Sequence, residues 1–171
     1  TVFVEARFWA EHATYDKWRL DGVYLDALLR DRRLALRQLQ AADARGNLRV
    51  NGNYDFVAKT LELQLRSTLA PEPAMRAFLR LPQMDEIKFR EAPDLALDVR
   101  AVFGDSPAIM VVGRVDTGRF EYREVKFDRL RGDLVWDGER WAIRNVLLKH
   151  ATGEVTGDAM QLPGDFRTRL K

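Results

Sequence analysis

Residues 16–44 read DKWRLDGVYLDALLRDRRLALRQLQAADA, and the choice between helix and strand for this stretch decides the fold. Taken alone it leans towards helix. Leu, Ala, Arg and Gln are good helix formers, and Leu25, Leu28, Leu29, Leu36 and Leu39 fall on a helical stripe. The chain carries a second version of the stretch, however. Residues 123–151 read REVKFDRLRGDLVWDGERWAIRNVLLKHA. Gly132, Trp136, Trp141 and the Asp137-Gly138 pair suit strands joined by a tight turn. An offset of 107 residues lays Val2–Gly46 on Ile109–Gly153 without a gap, with ten identities in 45 positions. Val4 meets Val111, Asp26 meets Asp133, Arg37 meets Arg144 and Gly46 meets Gly153. Two copies of one unit share a fold more firmly than either obeys a propensity, so both stretches are expected to be strands.

Working outward, period-two alternation dominates the rest of the chain. Val2, Val4, Ala6 and Phe8 share one face. Leu48 and Val50 alternate with Asn47 and Arg49, and Leu61, Leu63 and Leu65 with Glu62, Gln64 and Arg66. Leu95, Leu97 and Val99, then Ile109 and Val111, then Trp141 and Ile143 continue the pattern. Asn51-Gly52, Asp137-Gly138, Gly157-Asp158 and Gly164-Asp165 are turn candidates. One short helix is predicted near Glu72–Leu79, with Pro73 in its first turn and Pro82 beyond its end. With a two-residue slip, Leu61–Leu65 falls on Phe166–Leu170. The expected architecture is mainly β: a curved antiparallel sheet of repeated short strands, open as a trough or groove. Residues 1–107 form a first unit and residues 108–171 the start of a second in one continuous sheet. Because the chain starts inside an alternating pattern, it is expected to be a piece of a longer protein.

Composition narrows the functional classes. Twenty-eight Lys and Arg against 26 Asp and Glu leave a net charge of +2, with the signs interleaved, so nucleic acid is not an expected partner. Arg30, Arg32, Arg33 and Arg37 cluster, but Asp26, Asp31 and Asp43 dilute them. The absence of cysteine removes disulfides, thiolate nucleophiles and thiolate metal sites. No phosphate-binding glycine loop and no Gly-x-Ser-x-Gly elbow occurs. His12 and His150 stand apart, without ligand spacing, and align with Arg119 and Asp43, so neither repeats as a catalytic base would. Asp21/Asp128 and Asp26/Asp133 do recur, which suits turns and a polar face better than a cation site. Arg131-Gly132-Asp133 is placed within a strand and is treated as coincidence. The chain is thus expected to be non-enzymatic, with no catalytic residue, no metal and no cofactor.

A family resemblance enters at residues 125–158. Val125–Trp136, then Trp141–Leu148, then Gly153-Glu154-Val155-Thr156-Gly157-Asp158 give strand, turn, strand and a glycine-spaced strand opening. Asp21–Gly52 reads as a second instance, closing on Gly46-Asn47-Leu48-Arg49-Val50-Asn51-Gly52. This pattern resembles AsmA-like proteins, the bacterial envelope family with TamB-like and YhdP-like members. It is best at 120–160 and poorest at 67–92. The resemblance implies a long β-groove in the periplasm, a parent chain anchored in the inner membrane by an N-terminal helix, and a part in phospholipid movement and outer-membrane biogenesis. The implied partners are phospholipid acyl chains, and inner- and outer-membrane proteins met through other parts of the parent chain.

On this reading the lipid-facing candidates are Val2, Val4, Ala6, Phe8, Leu48, Val50, Leu61, Leu63, Leu65, Leu95, Leu97, Val99, Ile109, Val111, Trp141 and Ile143. Two rivals remain. One is a structural or interaction β-domain with a closed core and no lipid. The other is a carbohydrate-binding β-domain using Trp9, Trp18, Trp136 and Trp141.

Overall fold

In a computed structural model the described residues are 3–15, 18–69, 86–162 and 165–170. Fourteen strands account for most of them. In chain order they are β1 (Phe3–Tyr15), β2 (Trp18–Arg30), β3 (Arg33–Ala42), β4 (Asn47–Asp55), β5 (Thr60–Ser67), β6 (Ile87–Phe89) and β7 (Asp94–Val102). Then come β8 (Ala108–Thr117), β9 (Phe120–Tyr122), β10 (Val125–Phe127), β11 (Arg129–Trp136), β12 (Trp141–His150), β13 (Gly153–Leu162) and β14 (Asp165–Leu170). Eleven form one antiparallel sheet in the order β1-β2-β3-β4-β5-β7-β8-β11-β12-β13-β14. The remaining three form a small sheet, β10-β9-β6. β1 and β14 stand at opposite edges and do not pair with each other, so the large sheet is open and not a barrel.

The stretch that leaned towards helix is β2 and β3. Helix propensity loses here because each leucine gains a neighbour on a continuous sheet: Leu25 pairs with Leu39, Ala27 with Leu36 and Leu29 with Leu34. Differences of a few tenths of a kcal/mol per residue in propensity cannot hold against such packing. The helix expected near 72–79 lies outside the described residues.

Turn chemistry differs from expectation in two places. Asn51-Gly52 is no turn but the middle of β4, and Gly157-Asp158 lies within β13. At Gly52 neighbouring strands draw close: a Cβ there would run into the Glu62 carbonyl oxygen and the Leu63 side chain. Gly113 repeats this against Ala96 and Leu97. Glycine is needed at these positions for close approach of neighbouring strands. The tightest reversals instead use left-handed non-glycine pairs, Asp31-Arg32 (φ 48° and 61°) and Arg123-Glu124 (φ 47° and 69°). Positive φ at both central residues matches the twist of the flanking strands. Asp137-Gly138 does turn the chain, between β11 and β12. Asp137 Oδ1 accepts the Glu139 and Arg140 amides at 3.2 and 2.8 Å. Asp43 and Asp55 do the same for residues two and three further on, at 2.7–2.9 Å. Asp55 and Asp137 are held below the usual carboxylate range by these backbone N–H groups.

The pairing registers of the two halves are related by a constant 107 residues. Val4–Leu29 corresponds to Val111–Trp136, Ala6–Ala27 to Gly113–Leu134 and Phe8–Leu25 to Val115–Gly132. Leu39–Val50 and Leu36–Gly52 correspond to Val146–Gly157 and Ile143–Ala159, with an extra residue bulged out on β3 and β12 alike. Val50–Leu65 and Gly52–Leu63 correspond to Gly157–Leu170 and Ala159–Thr168, where the last strand carries the two-residue slip. β1 to β5 therefore match β8, β11, β12, β13 and β14, and β7 joins the two sets. The difference lies in the first hairpin. β1 and β2 run unbroken for 13 residues each, whereas their counterparts break near Gly118 and Asp128. The outer part becomes β9 and β10, to which β6 adds.

Candidate functional site

Each strand of the large sheet sends alternate residues to opposite faces, so the registers define two surfaces. One is apolar. From Phe8 the paired residues run Leu25, Leu39, Val50, Leu65, Leu97, Gly113, Leu134, Ile143 and Ala159. That row crosses ten strands from β1 to β13 without a charged residue. At the usual spacing between strands it spans about 43 Å. A parallel row runs Ala6, Ala27, Leu36, Gly52, Leu63, Val99, Val111, Trp136 and Trp141.

All but one of the candidates fall on this face. Val4, Ala6 and Phe8 are on β1, Leu48 and Val50 on β4, and Leu61, Leu63 and Leu65 on β5. Leu95, Leu97 and Val99 are on β7, Ile109 and Val111 on β8, and Trp141 and Ile143 on β12. Val2 lies outside the described residues. Sequence reasoning omitted Leu34, Leu36 and Leu39 of β3, Leu25 and Leu29 of β2, and Leu134 and Trp136 of β11. The repeat could have found several of them, since Leu34 and Leu36 align with Trp141 and Ile143.

This face is only half sheltered. Val50 and Val111 are buried, at 8% and 9% exposed, but Leu61, Leu63, Leu65, Leu95, Leu97 and Val99 keep partial contact with solvent. Phe8 and Val4 on β1 are 54% and 49% exposed. The chain's accessible surface is 12,076 Å², whereas a compact monomer of 19.7 kDa has about 8,600 Å². A sealed sandwich would remove its central leucines from water; here no second layer does so among the described residues. Ala41, Ala101 and Val146 of the same face are buried as well, and further buried side chains collect where β5 ends, β7 begins and β8 ends, at Ser67, Leu69, Pro93, Thr117 and Phe120. Phe120 stacks on Phe127 at 5.0 Å between centroids, tying β9 to β10.

The opposite face is polar and laced by ion pairs between neighbouring strands. Arg129 donates to Asp116 at 2.6 and 2.9 Å, and this guanidinium holds the Asp116 carboxyl below its usual range. Arg33 donates to Asp55 at 3.0 Å and Arg37 to Glu5 at 2.9 Å, which uses up much of the arginine cluster of residues 30–37. Two of the repeated acids, Asp26 and Asp133, share this face. Asp26 lies 3.7–3.8 Å from Arg7 and Arg37, while Asp133 accepts the Asn145 amide at 2.8 Å. At the far end of the first hairpin, in line with Phe8 and Leu25 by register, His12 Nδ1 lies 2.6 Å from Asp21 Oδ1, and Arg19 donates to the same oxygen; the two together lower the Asp21 carboxyl. His150 contacts Thr152 at 2.8 Å. Arg131-Gly132-Asp133 lies inside β11. A concavity of about 640 Å³ opens on this polar side among Arg37, Asn51, Asn53, Glu62, Gln64 and Arg100, and one of about 860 Å³ lies beside Arg30, Arg33, Asn53 and Asp55. On the apolar side Leu61, Ala101 and Ile109 help to line a smaller concavity of about 360 Å³.

Trp9 lies on the polar face, 66% exposed, and Trp136 pairs with Trp141 on the other; the Trp18 side chain is not among those described. No group of three or more potential metal-ligating side chains occurs among the described residues, and no helix among them is long and apolar enough to cross a membrane. No protein-family model, no curated protein and no solved structure matches the chain.

Proposed function

We propose that this chain is a non-enzymatic segment of a lipid-conducting protein, offering its open apolar face to phospholipid acyl chains. The observation that carries the proposal is the uncharged row from Phe8 to Ala159, about 43 Å long at ordinary strand spacing. An acyl chain leaving a bilayer loses about 0.8 kcal/mol per CH₂, or roughly 12 kcal/mol for sixteen carbons. A continuous aliphatic surface offsets that loss without specific hydrogen bonds, and it does so equally at every position along its length. Equal binding at successive positions is what movement requires, because no site is deep enough to trap the chain. An open edge leaves the charged headgroup in water, where its hydration costs nothing to keep.

The resemblance to AsmA-like proteins supports the same reading and supplies its setting. It puts the parent chain in the periplasm between inner and outer membranes, with anchoring and membrane-protein contacts provided elsewhere in that chain. The closed-core alternative is less well supported by side chains that stay half exposed. The carbohydrate alternative is less well supported by tryptophans on opposite faces.

The test is organic extraction and native mass spectrometry of the purified protein, followed by incubation with phosphatidylethanolamine–phosphatidylglycerol vesicles carrying fluorescent acyl chains. Retained phospholipid and label uptake are expected, and Val111→Glu should abolish both while far-UV circular dichroism remains that of a sheet. A protein that carries no lipid and takes up no label would overturn the proposal.

A further inference from the structure

The polar face departs from charge pairing at one place near its centre, on the fourth and fifth strands of the eleven. Arg49 of β4 stands directly opposite Arg66 of β5, and both are exposed. Like charges so placed repel. Neither side chain has an ion-pair or hydrogen-bond partner among the described residues. Their other cross-strand neighbours, Gln40 and Ala96, are uncharged. Asp94 and Asp98 lie diagonally across from Arg66 on β7, and no ion pair joins either to it. Other arginines of this face meet acids, as Arg33 meets Asp55 and Arg129 meets Asp116. The second unit is built differently at the matching place: Thr156 stands for Arg49, and Asp158 faces Arg169 where Asn51 faces Gln64.

The next row along the strands, about 7 Å away, supplies the rest of a site. Asn51, Gln64, Asp98 and Val112 follow one another across β4, β5, β7 and β8, about 14 Å from end to end at ordinary strand spacing. With Asn53 and Met110 they help to line the concavity of about 640 Å³. The side-chain amides of Asn51, Asn53 and Gln64 have no partner among the described residues, so each keeps a free donor and a free acceptor. Met110 and Val112 are 44% and 37% exposed and form an apolar patch on the far side. We infer that this place binds a sugar carrying a phosphate monoester. The phosphate brings nearly two negative charges, accepts charge-assisted hydrogen bonds from both guanidinia and relieves their repulsion. The amides donate to and accept from the sugar hydroxyls, Asp98 accepts from them, and Met110 and Val112 meet the C–H side of the ring. Asp98 also sets the direction, because it repels the anionic end and leaves that end to Arg49 and Arg66.

The site uses no tryptophan and lies on the face opposite the acyl-chain row, so it does not depend on lipid binding. The probe is glucose 6-phosphate, titrated into the whole 171-residue protein while ¹⁵N–¹H NMR follows the Nε–H signals of Arg49 and Arg66 and the side-chain amides of Asn51 and Gln64. Saturable shifts of all four are expected, with glucose alone and inorganic phosphate alone each about ten-fold weaker or more. Arg66→Gln should weaken glucose 6-phosphate about ten-fold. Its urea midpoint without ligand should equal or exceed the parent's, because a repulsion has been removed. Gln64→Ala should weaken glucose 6-phosphate and leave inorganic phosphate unchanged. Absence of saturable shifts would overturn the inference. So would inorganic phosphate binding as tightly as the sugar phosphate, which is the behaviour of an anion site alone. A lowered urea midpoint for Arg66→Gln would overturn it too, since the fold would then already partner that guanidinium. Phosphatidylglycerol vesicles that shift the arginine signals where glucose 6-phosphate does not would replace the sugar with a membrane surface.

Discussion

Val4 and Val111 hold the same position in two corresponding hairpins, and the same substitution at each measures what shelters the apolar face. Val→Ala removes two methylene equivalents, worth about 1.6 kcal/mol when fully withdrawn from water. Scaled by exposures of 9% and 49%, the loss is about 1.5 kcal/mol for Val111→Ala and about 0.8 kcal/mol for Val4→Ala. On an open face nothing is added to these figures, since water or a neighbouring side chain fills the space. In a sealed core the substitution at Val111 would leave a cavity of roughly 50 Å³ and cost about 1 kcal/mol more. Urea denaturation followed by tryptophan fluorescence measures both variants, with equal m-values required so that the midpoints report stability. A loss of 2.5 kcal/mol or more at Val111 would refute the open face. A loss at Val4 equal to that at Val111 would refute the assignment of β1 as an uncovered edge.

Other consequences follow from the tight approaches and the ion pairs. Gly52→Ala and Gly113→Ala should each destabilise by about 2 kcal/mol, because the added carbon meets a neighbouring strand's carbonyl, whereas Gly153→Ala, with open space around it, should be near neutral; thermal melts of the three variants distinguish these. Asp116→Asn should cost no more than about 1 kcal/mol at neutral pH, as the pair with Arg129 is near the surface. Asp116 is depressed by that arginine, so the pair's contribution is fully present above the ordinary carboxylate pKa and is lost as pH falls through the lowered value. Urea midpoints of parent and variant should therefore converge as the pH approaches 2, and a difference that persists there would contradict the assignment.

Strand identity and face were legible because alternation survives any ambiguity of propensity. Leu61, Leu63 and Leu65 can only share a face in an extended chain, and the repeat carried that conclusion into β2 and β3. Register was legible for the same reason: the two-residue slip at Leu61–Leu65 reappears as β14 pairing with β13. What could not be read was the backbone's use of glycine. Asn51-Gly52 has turn composition, yet Gly52 serves close strand approach, a demand set by residues ten positions away. The left-handed pairs Asp31-Arg32 and Arg123-Glu124 contain no glycine, so no composition rule marks them. The interruption of the second hairpin near Gly118 and Asp128 was equally hidden, since the first hairpin runs unbroken through the aligned positions.

An exposed aliphatic face is a hazard in water, because it invites association with further chains. The polar face limits that hazard on one side through its cross-strand ion pairs, and the apolar face is left with partial shelter from its own curvature and large side chains. An occupant that covers it must match an uncharged row across ten strands. A second protein surface of ordinary size, about 800 Å² per partner, binds through a few deep hot spots. A flexible hydrocarbon chain needs only aliphatic area, and several can lie side by side. On the function proposed above, the occupant across the face is fluid and unspecific.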